Sequence, residues 1–271
     1  MPVLQERKIE EFPIGNRRLS DHHAELATEG VQIHPHAWVT ATDLGKLDKD
    51  GNRTLVDARS TPLAWHGDYP SKEHTIAAEN SFLIIHPWDF LRANELLLAA
   101  MKENITHGEV HPSAVIDGRL EVGAGTRVLP GVFVEGNVII GENCKIGPNC
   151  YLRGSTSIGD DCHIGQSVEI KNSIILSNTN VGHLSYVGDS VLGRGVNFGA
   201  GTMTSNLRHD GKNHRSMVEG TLVDTGRRKL GAIVGDGVHT GINTSIYPGR
   251  KLFPKTTTRP GEIVQRDLHA F

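Results

Sequence analysis

The chain has 271 residues, with 28 Lys and Arg against 31 Asp and Glu and a formal charge of −3; this excludes a nucleic-acid binder driven by bulk positive charge and a polybasic membrane anchor. At roughly 150 residues per domain the length allows one or two domains, and no apolar run approaches the ~18 residues that cross a membrane. The three cysteines are few and odd in number, and the charged opening MPVLQERKIEEF has no signal-peptide core, so the expectation is a reducing, cytoplasmic setting with no membrane or nucleic-acid partner.

Residues 1–85 show mixed polarity and no repeat, with turn signals at Asp50-Gly51 and Gly67-Asp68. They read as a small α/β or irregular domain. Phe82-Leu83-Ile84-Ile85 reads as a buried strand. His86-Pro87-Trp88-Asp89 then opens a helix predicted to run to about Glu103, with Pro in its first turn and Leu91, Asn94, Leu98 and Met101 at helical spacing. Residues 86–105 would thus link the two halves.

From Val110 an aliphatic side chain recurs at every sixth position: Ile116, Val122, Val128, Val134, Ile140, Ile146, Leu152, Ile158, Ile164 and Ile170 follow without a miss. Gly follows the aliphatic residue at 123, 141, 147, 159 and 165, and the position four residues after it is small or aliphatic. This is the hexapeptide repeat of a parallel β-helix spanning residues 108–265, an all-β fold. Three hexads close a triangular coil, and the next coil stacks on it at ~4.8 Å. Cys144, Cys150 and Cys162 all occupy the small inward position, which makes them core fillers rather than ligands or disulfide partners.

The period slips near residue 176 and resumes through Val181, Val187, Leu192, Phe198 and Thr204. It is lost over 205–230 and returns at Val234, Thr240, Ile246 and Leu252. Residues 205–230 therefore read as a loop extruded from the prism. Its Arg208, Lys212, Arg215, Arg227, Arg228 and Lys229 outnumber its acids and suit an anion-contacting flap. Lys251–Lys255 breaks the hexad, and Pro260–Val264 looks like a last coil.

Gly123-Ala124-Gly125-Thr126-Arg127-Val128-Leu129-Pro130 has the form of a GxGTRxxP phosphate loop, but it lies in frame with the hexads and reads as coil turns. His209 and His214 share the five-residue spacing of zinc-binding histidines in some β-helical enzymes. They sit in the extruded loop, and no metal is expected there. His183 is different: it points outward from Val181-Gly182-His183-Leu184-Ser185-Tyr186-Val187-Gly188-Asp189. Arg153, Glu169 and Lys171 are outward on neighbouring coils. Two cations can hold a phosphate, Glu169 can orient the imidazole or the substrate, and an imidazole of ordinary pKa near 6.5 can accept a proton at pH 7.

The stretches LRGSTSIG, VEIKNS, GHLSYVGDS and VNFGAGTMTSN, within residues 146–206, resemble the acetyltransferase domain of the bifunctional N-acetylglucosamine-1-phosphate uridylyltransferase/glucosamine-1-phosphate acetyltransferase family. PWDFLRANE, NLRHDGK and GRRKLGA are similar to the archaeal-type sugar-phosphate nucleotidylyltransferase/acetyltransferase version, so the resemblance covers about residues 82–252. It implies a left-handed β-helix that assembles as a homotrimer with sites between subunits. The activity implied is acetyl-CoA-dependent N-acetylation of an amino-sugar 1-phosphate, most simply glucosamine 1-phosphate, for nucleotide-sugar synthesis.

Residue by residue, the resemblance makes His183 the general base. It gives Arg153 and Lys171 phosphate and sugar contacts, and Glu169, Tyr186, Asn197 and Asn206 substrate positioning. Lys212 falls where the archaeal-type loop carries a lysine near the site, and Ala200 where the backbone meets the acetyl-pantetheine arm. Bacterial members read NYDG where this chain has Asn206-Leu207-Arg208-His209-Asp210-Gly211, so the tyrosine contact is missing. No nucleotidylyltransferase signature occurs in residues 1–85. A sugar-1-phosphate nucleotidylyltransferase is thereby disfavoured, and a non-catalytic trimeric sugar-phosphate-binding scaffold stands as the alternative.

Overall fold

A computed structural model describes residues 7–47 and 53–269; the turn signal at Asp50-Gly51 lies outside them. The hexad does what its period requires, because a residue that recurs once per side of a triangle always meets the interior. Val128, Ile146, Ile164, Val181 and Phe198 line one inner face, and Val134, Leu152, Ile170, Val187 and Ile246 a second. Val122, Ile140, Ile158, Ile175, Leu192, Val234 and Leu252 line the third, all in one buried core. Parallel pairing keeps each column in register, as in Leu152 with Ile170 and Ile170 with Val187. The three cysteine thiols are buried in the same interior and unbridged. Gly123–Pro130 forms coil, with Arg127–Val128 pairing Lys145–Ile146.

Two details of the periodicity differ from the sequence reading. Lys251-Leu252 does not break the helix; it pairs in register with Ile233-Val234. The slip also falls earlier than residue 176, and it occurs twice. Only five residues separate Ile170 from Ile175, and again Val187 from Leu192, as the registers Leu152–Ile170, Ile158–Ile175 and Ile175–Leu192 require. Each shortened corner turns on a side-chain-bearing residue at positive φ, Asn172 (47°) and Asp189 (49°), residue types that tolerate the left-handed region through their short polar side chains. On the next coil the same corner carries the insertion, so that Val191-Leu192 pairs with Ile233-Val234 across it. The inserted segment is not wholly irregular: Arg215–Val218 and Thr221–Asp224 form an antiparallel hairpin.

The N-terminal segment packs along that third face. It contains helices α1 (Leu19–Leu26) and α2 (Ala41–Leu44) and a four-stranded sheet ordered Val31–Ile33, Pro62–His66, Thr54–Val56, Thr75–Ala77. Helix α3 spans Pro87–Ala99, four residues shorter than predicted, and Met101 lies past its end. Its Trp88, Phe90 and Leu91 join Phe12, Ile14 and Trp38 in a buried cluster with Ile174, Leu176, Val191, Leu230 and Ile233. The last five point outward from the prism. The doublets Ile174-Ile175, Val191-Leu192 and Ile233-Val234 therefore bury one side chain inside the helix and the other beneath this layer. Thirteen residues at ~1.5 Å rise span about four coils. Asn137 Nδ2 donates to Leu98 O (2.6 Å) and Asn94 Nδ2 to Ser155 O (3.0 Å), which fixes α3 along the coil stack. Among the described residues no helix is long and apolar enough to cross a membrane.

Candidate active site

Outward positions of the second face stack Tyr151, Glu169, Tyr186 and Met203 in one column and Arg153, Lys171 and Gly188 in the next. Parallel pairing in register places these chemically useful side chains one above another, a coil apart. Arg153 Nε donates to Glu169 Oε1 at 2.7 Å, and its Nη2 lies 2.7 Å from the same oxygen in an ion pair. Lys171 Nζ donates to Asp189 Oδ2 at 2.7 Å. Asp189 is the hub of the patch: Asn172 Nδ2 donates to its Oδ1 (3.0 Å) and Asn206 Nδ2 to its Oδ2 (2.5 Å). The same Asn206 amide nitrogen lies 2.9 Å from Tyr186 Oη. Burial, reinforced by the nearby Asp189 and Glu169 carboxylates, raises the Tyr186 phenol above its usual range. Tyr186 is therefore a neutral hydroxyl at pH 7.

The first residues of the insertion complete the wall. Asn206 O accepts hydrogen bonds from His214 Nε2 (3.1 Å) and Leu230 N (2.9 Å), which ties the two ends of the insertion together. Burial, with Arg208 and Arg250 adding repulsion, lowers the His214 pKa, so its ring is neutral and donates from Nε2. Between this wall and the second face lies a cleft of about 790 Å³ lined by Tyr186, Met203, Asn206, Arg208 and Tyr247, among others.

Of the residues singled out in the sequence, Arg153, Glu169, Lys171, Tyr186 and Asn206 thus share one patch. His183 stands apart at the preceding corner, paired in register with Gln166. It is exposed, and its carbonyl accepts from Ser185 Oγ (2.7 Å) and Gly201 N (3.1 Å). Glu169 holds Arg153 in this protomer and does not orient the imidazole. Ala200 sits one coil above His183, half-buried, its carbonyl bonded by Asn243 N at 2.7 Å. Asn197 is exposed on the first face, between Asn180 and His239. Lys212 is exposed on the insertion, its backbone N bonded to Asp210 Oδ1 (3.2 Å). His209 and His214 do not converge: His214 is buried beneath Asn206 while His209 is exposed. No group of three His, Cys, Asp or Glu among the described residues is arranged to hold a metal ion.

Sequence reasoning missed Asp189 as the centre of the network, and with it Asn172. A signal was present: both sit at the two places where six residues shrink to five.

Residues 134–257 match a family model described as the GMPPB C-terminal domain. The chain is 50% identical over 102 residues to a bifunctional sugar-1-phosphate nucleotidylyltransferase/acetyltransferase of Sulfurisphaera tokodaii, covering 38% of this chain and 25% of that protein. It is 44% identical over 183 residues to a bifunctional protein GlmU of Methanococcus maripaludis and 41% identical over 184 residues to that of Methanocaldococcus jannaschii. These cover 68% of this chain and 44% and 45% of theirs. The chain spans less than half the length of these relatives. Over about two thirds of its length the chain is thus similar to part of the proteins named bifunctional protein GlmU, and over 38% of it to part of a bifunctional sugar-1-phosphate nucleotidylyltransferase/acetyltransferase.

Proposed function

From that similarity we propose that the chain is an acyltransferase that moves an acetyl group from acetyl-CoA to the amine of an amino-sugar 1-phosphate, with glucosamine 1-phosphate as the first substrate to test. The observation that carries this reading is the Asp189-centred patch, in which Tyr186 and Asn206 line the cleft while Lys171 is joined to Asn206 through Asp189, beside the Arg153–Glu169 pair. Each cation spends only part of its donor set on its acid. Arg153 keeps N–H groups on Nη1 and Lys171 keeps two ammonium protons, enough for a phosphate to bridge them. Tyr186 and Asn206 offer hydroxyl and amide groups of the kind that align sugar hydroxyls.

The reaction forms an N–C bond and breaks the thioester C–S bond. His183 takes the amine proton as nitrogen attacks, and that proton is returned to the departing thiolate. Positioning of the two substrates supplies much of the rate, and a base of this kind contributes typically ~10²–10⁴-fold. Ala200, one coil above His183, would meet the pantetheine arm, and Glu169, Asn197 and Lys212 complete the proposed set. Leu184, Met203, Tyr247 and Ile263 are large, apolar and exposed on this side of the prism. A second copy of the chain covering them in a trimer would close the cleft and bring the other half of the site.

The test is thiol release from acetyl-CoA by the purified full chain, with and without glucosamine 1-phosphate. Sugar-phosphate-dependent release is expected. A rise in melting temperature with sugar phosphate but no thiol from any amino-sugar phosphate would instead favour the scaffold reading, for which the exposure of His183 outside the Asp189 patch is the relevant observation.

A further inference from the structure

We propose that Glu95, on the N-terminal helix α3, is a positioning residue for the sugar-phosphate site, so that the N-terminal segment builds the site rather than sitting beside it. Glu95 Oε1 accepts from Asn172 Nδ2 at 2.7 Å, and its carboxylate forms a two-pronged pair with Arg227, which includes Nη1 to Oε2 at 3.3 Å. Both contacts lead to Asn206 by separate routes. Along the first, the Asn172 amide bridges Glu95 to Asp189, which receives Lys171 and Asn206. Along the second, the Arg227 carbonyl accepts from His214 N (2.8 Å), and His214 Nε2 supports Asn206 O.

The arrangement depends on Glu95 in particular. Arg227 Nε is buried without a partner, and among the described residues Glu95 is the carboxylate paired with that guanidinium. Asn172 sits at positive φ in a shortened corner, and its NH₂ divides between Glu95 and Asp189. Helix α3 is pinned to the coils by Asn94 and Asn137, independently of the insertion. It is therefore a fixed post against which a 26-residue departure from the prism can be clamped, 205–230. The two shortened corners and the insertion fall on one edge of the prism because that edge must meet α3. Loss of the carboxylate frees Arg227 and one amide hydrogen of Asn172, letting Asn206 and Lys171 leave the geometry that fits the sugar phosphate.

The kinetic part of this inference rests on the acetyltransferase reading; the structural part does not. The full chain and its Glu95→Ala and Glu95→Gln variants are compared in two measurements: the rate of tryptic cleavage within residues 205–230, and separate KM values for glucosamine 1-phosphate and acetyl-CoA. For Glu95→Ala, cleavage faster by at least about fivefold is expected. Its KM for the sugar phosphate should rise about tenfold while that for acetyl-CoA stays within about twofold. Glu95→Gln, which keeps an acceptor for Asn172 but not the charge, should fall between wild type and Glu95→Ala. If Glu95→Ala does not fold, Glu95→Gln decides alone. Wild-type cleavage rates and sugar-phosphate KM in the folded variants overturn the proposal, as does an equal rise in both KM values. Absence of thiol release from wild type sinks the acetyltransferase reading instead, and the cleavage rates then decide whether Glu95 holds the insertion.

Discussion

The Lys171 ammonium lies 2.7 Å from the Asp189 carboxylate of the coil above, with their side chains 15% and 4% exposed. A cation proposed to receive phosphate is thus neutralised and aimed before substrate arrives. A lysine in so little water, with no acid beside it, would leave an uncompensated charge that destabilises the corner.

Replacing the acid alone therefore exposes that cost. Asp189→Asn suits the left-handed backbone but leaves Lys171 uncompensated, and a loss of about 3 kcal/mol is expected from urea titration. Adding Lys171→Met should recover much of the stability while thiol release stays abolished, because the pair is coupled in folding but the cation is needed for phosphate. Full recovery of turnover in the double variant would contradict the proposed role of Lys171.

His183 is exposed, and no hydrogen bond of its ring occurs among the described residues. His183→Ala should leave the melting temperature within a degree or so of wild type, yet lower kcat for thiol release by ~10²-fold or more. An active His183→Ala protein would remove the imidazole from the mechanism.

Gly165 supports the strand that carries His183. A Cβ built on it would stand 1.8 Å from the carbonyl oxygen of Gly182 on the next coil, a backbone atom that cannot swing away. Gly165→Ala must push two hydrogen-bonded coils apart, and a loss of at least ~3 kcal/mol is expected. Loss of thiol release should accompany it, since His183 directly follows Gly182. Unchanged calorimetric melting would show that the stack yields more easily than its contacts imply.

His214 makes the insertion sensitive to acid. Its pKa is lowered in the folded chain, chiefly by burial and then by Arg208 and Arg250. The unfolded chain therefore binds the proton more readily, and stability rises with pH through that interval. The contribution is complete above the ordinary histidine value near 6.5 and is lost as pH falls through the folded value. His22, His23, His34, His86 and His163 are shifted the same way, each mainly by burial, so the useful quantity is a difference. His214→Gln should show a shallower decline in melting temperature between pH 7 and 5 than wild type. Parallel curves for the two proteins would assign the acid sensitivity to the other histidines.

Much of the site was legible because the β-helix converts sequence spacing into vertical stacking. Residues 153 and 171 must share a column if the hexad holds, and they do; the motif stretches then added chemistry to a geometry already fixed. What a column does not reveal is the direction in which each charge is spent. Glu169 turned to Arg153 and Asp189 to Lys171, and both choices depend on side chains of neighbouring coils rather than on spacing.

The hexad alone specifies the prism, its three inner faces and the place where the chain leaves it. An interior with threefold repetition demands an apolar residue at a fixed interval, and any failure of that interval is visible in one dimension. Tertiary structure alone decided what that failure is for. Glu95 meets Asn172 across 77 residues and Arg227 across 132, and contacts between a helix and a corner so far apart leave no period in the chain. They exist because outward Ile174, Val191 and Ile233 needed cover from water, and the helix that covers them brings a carboxylate to the corner that carries Asn172.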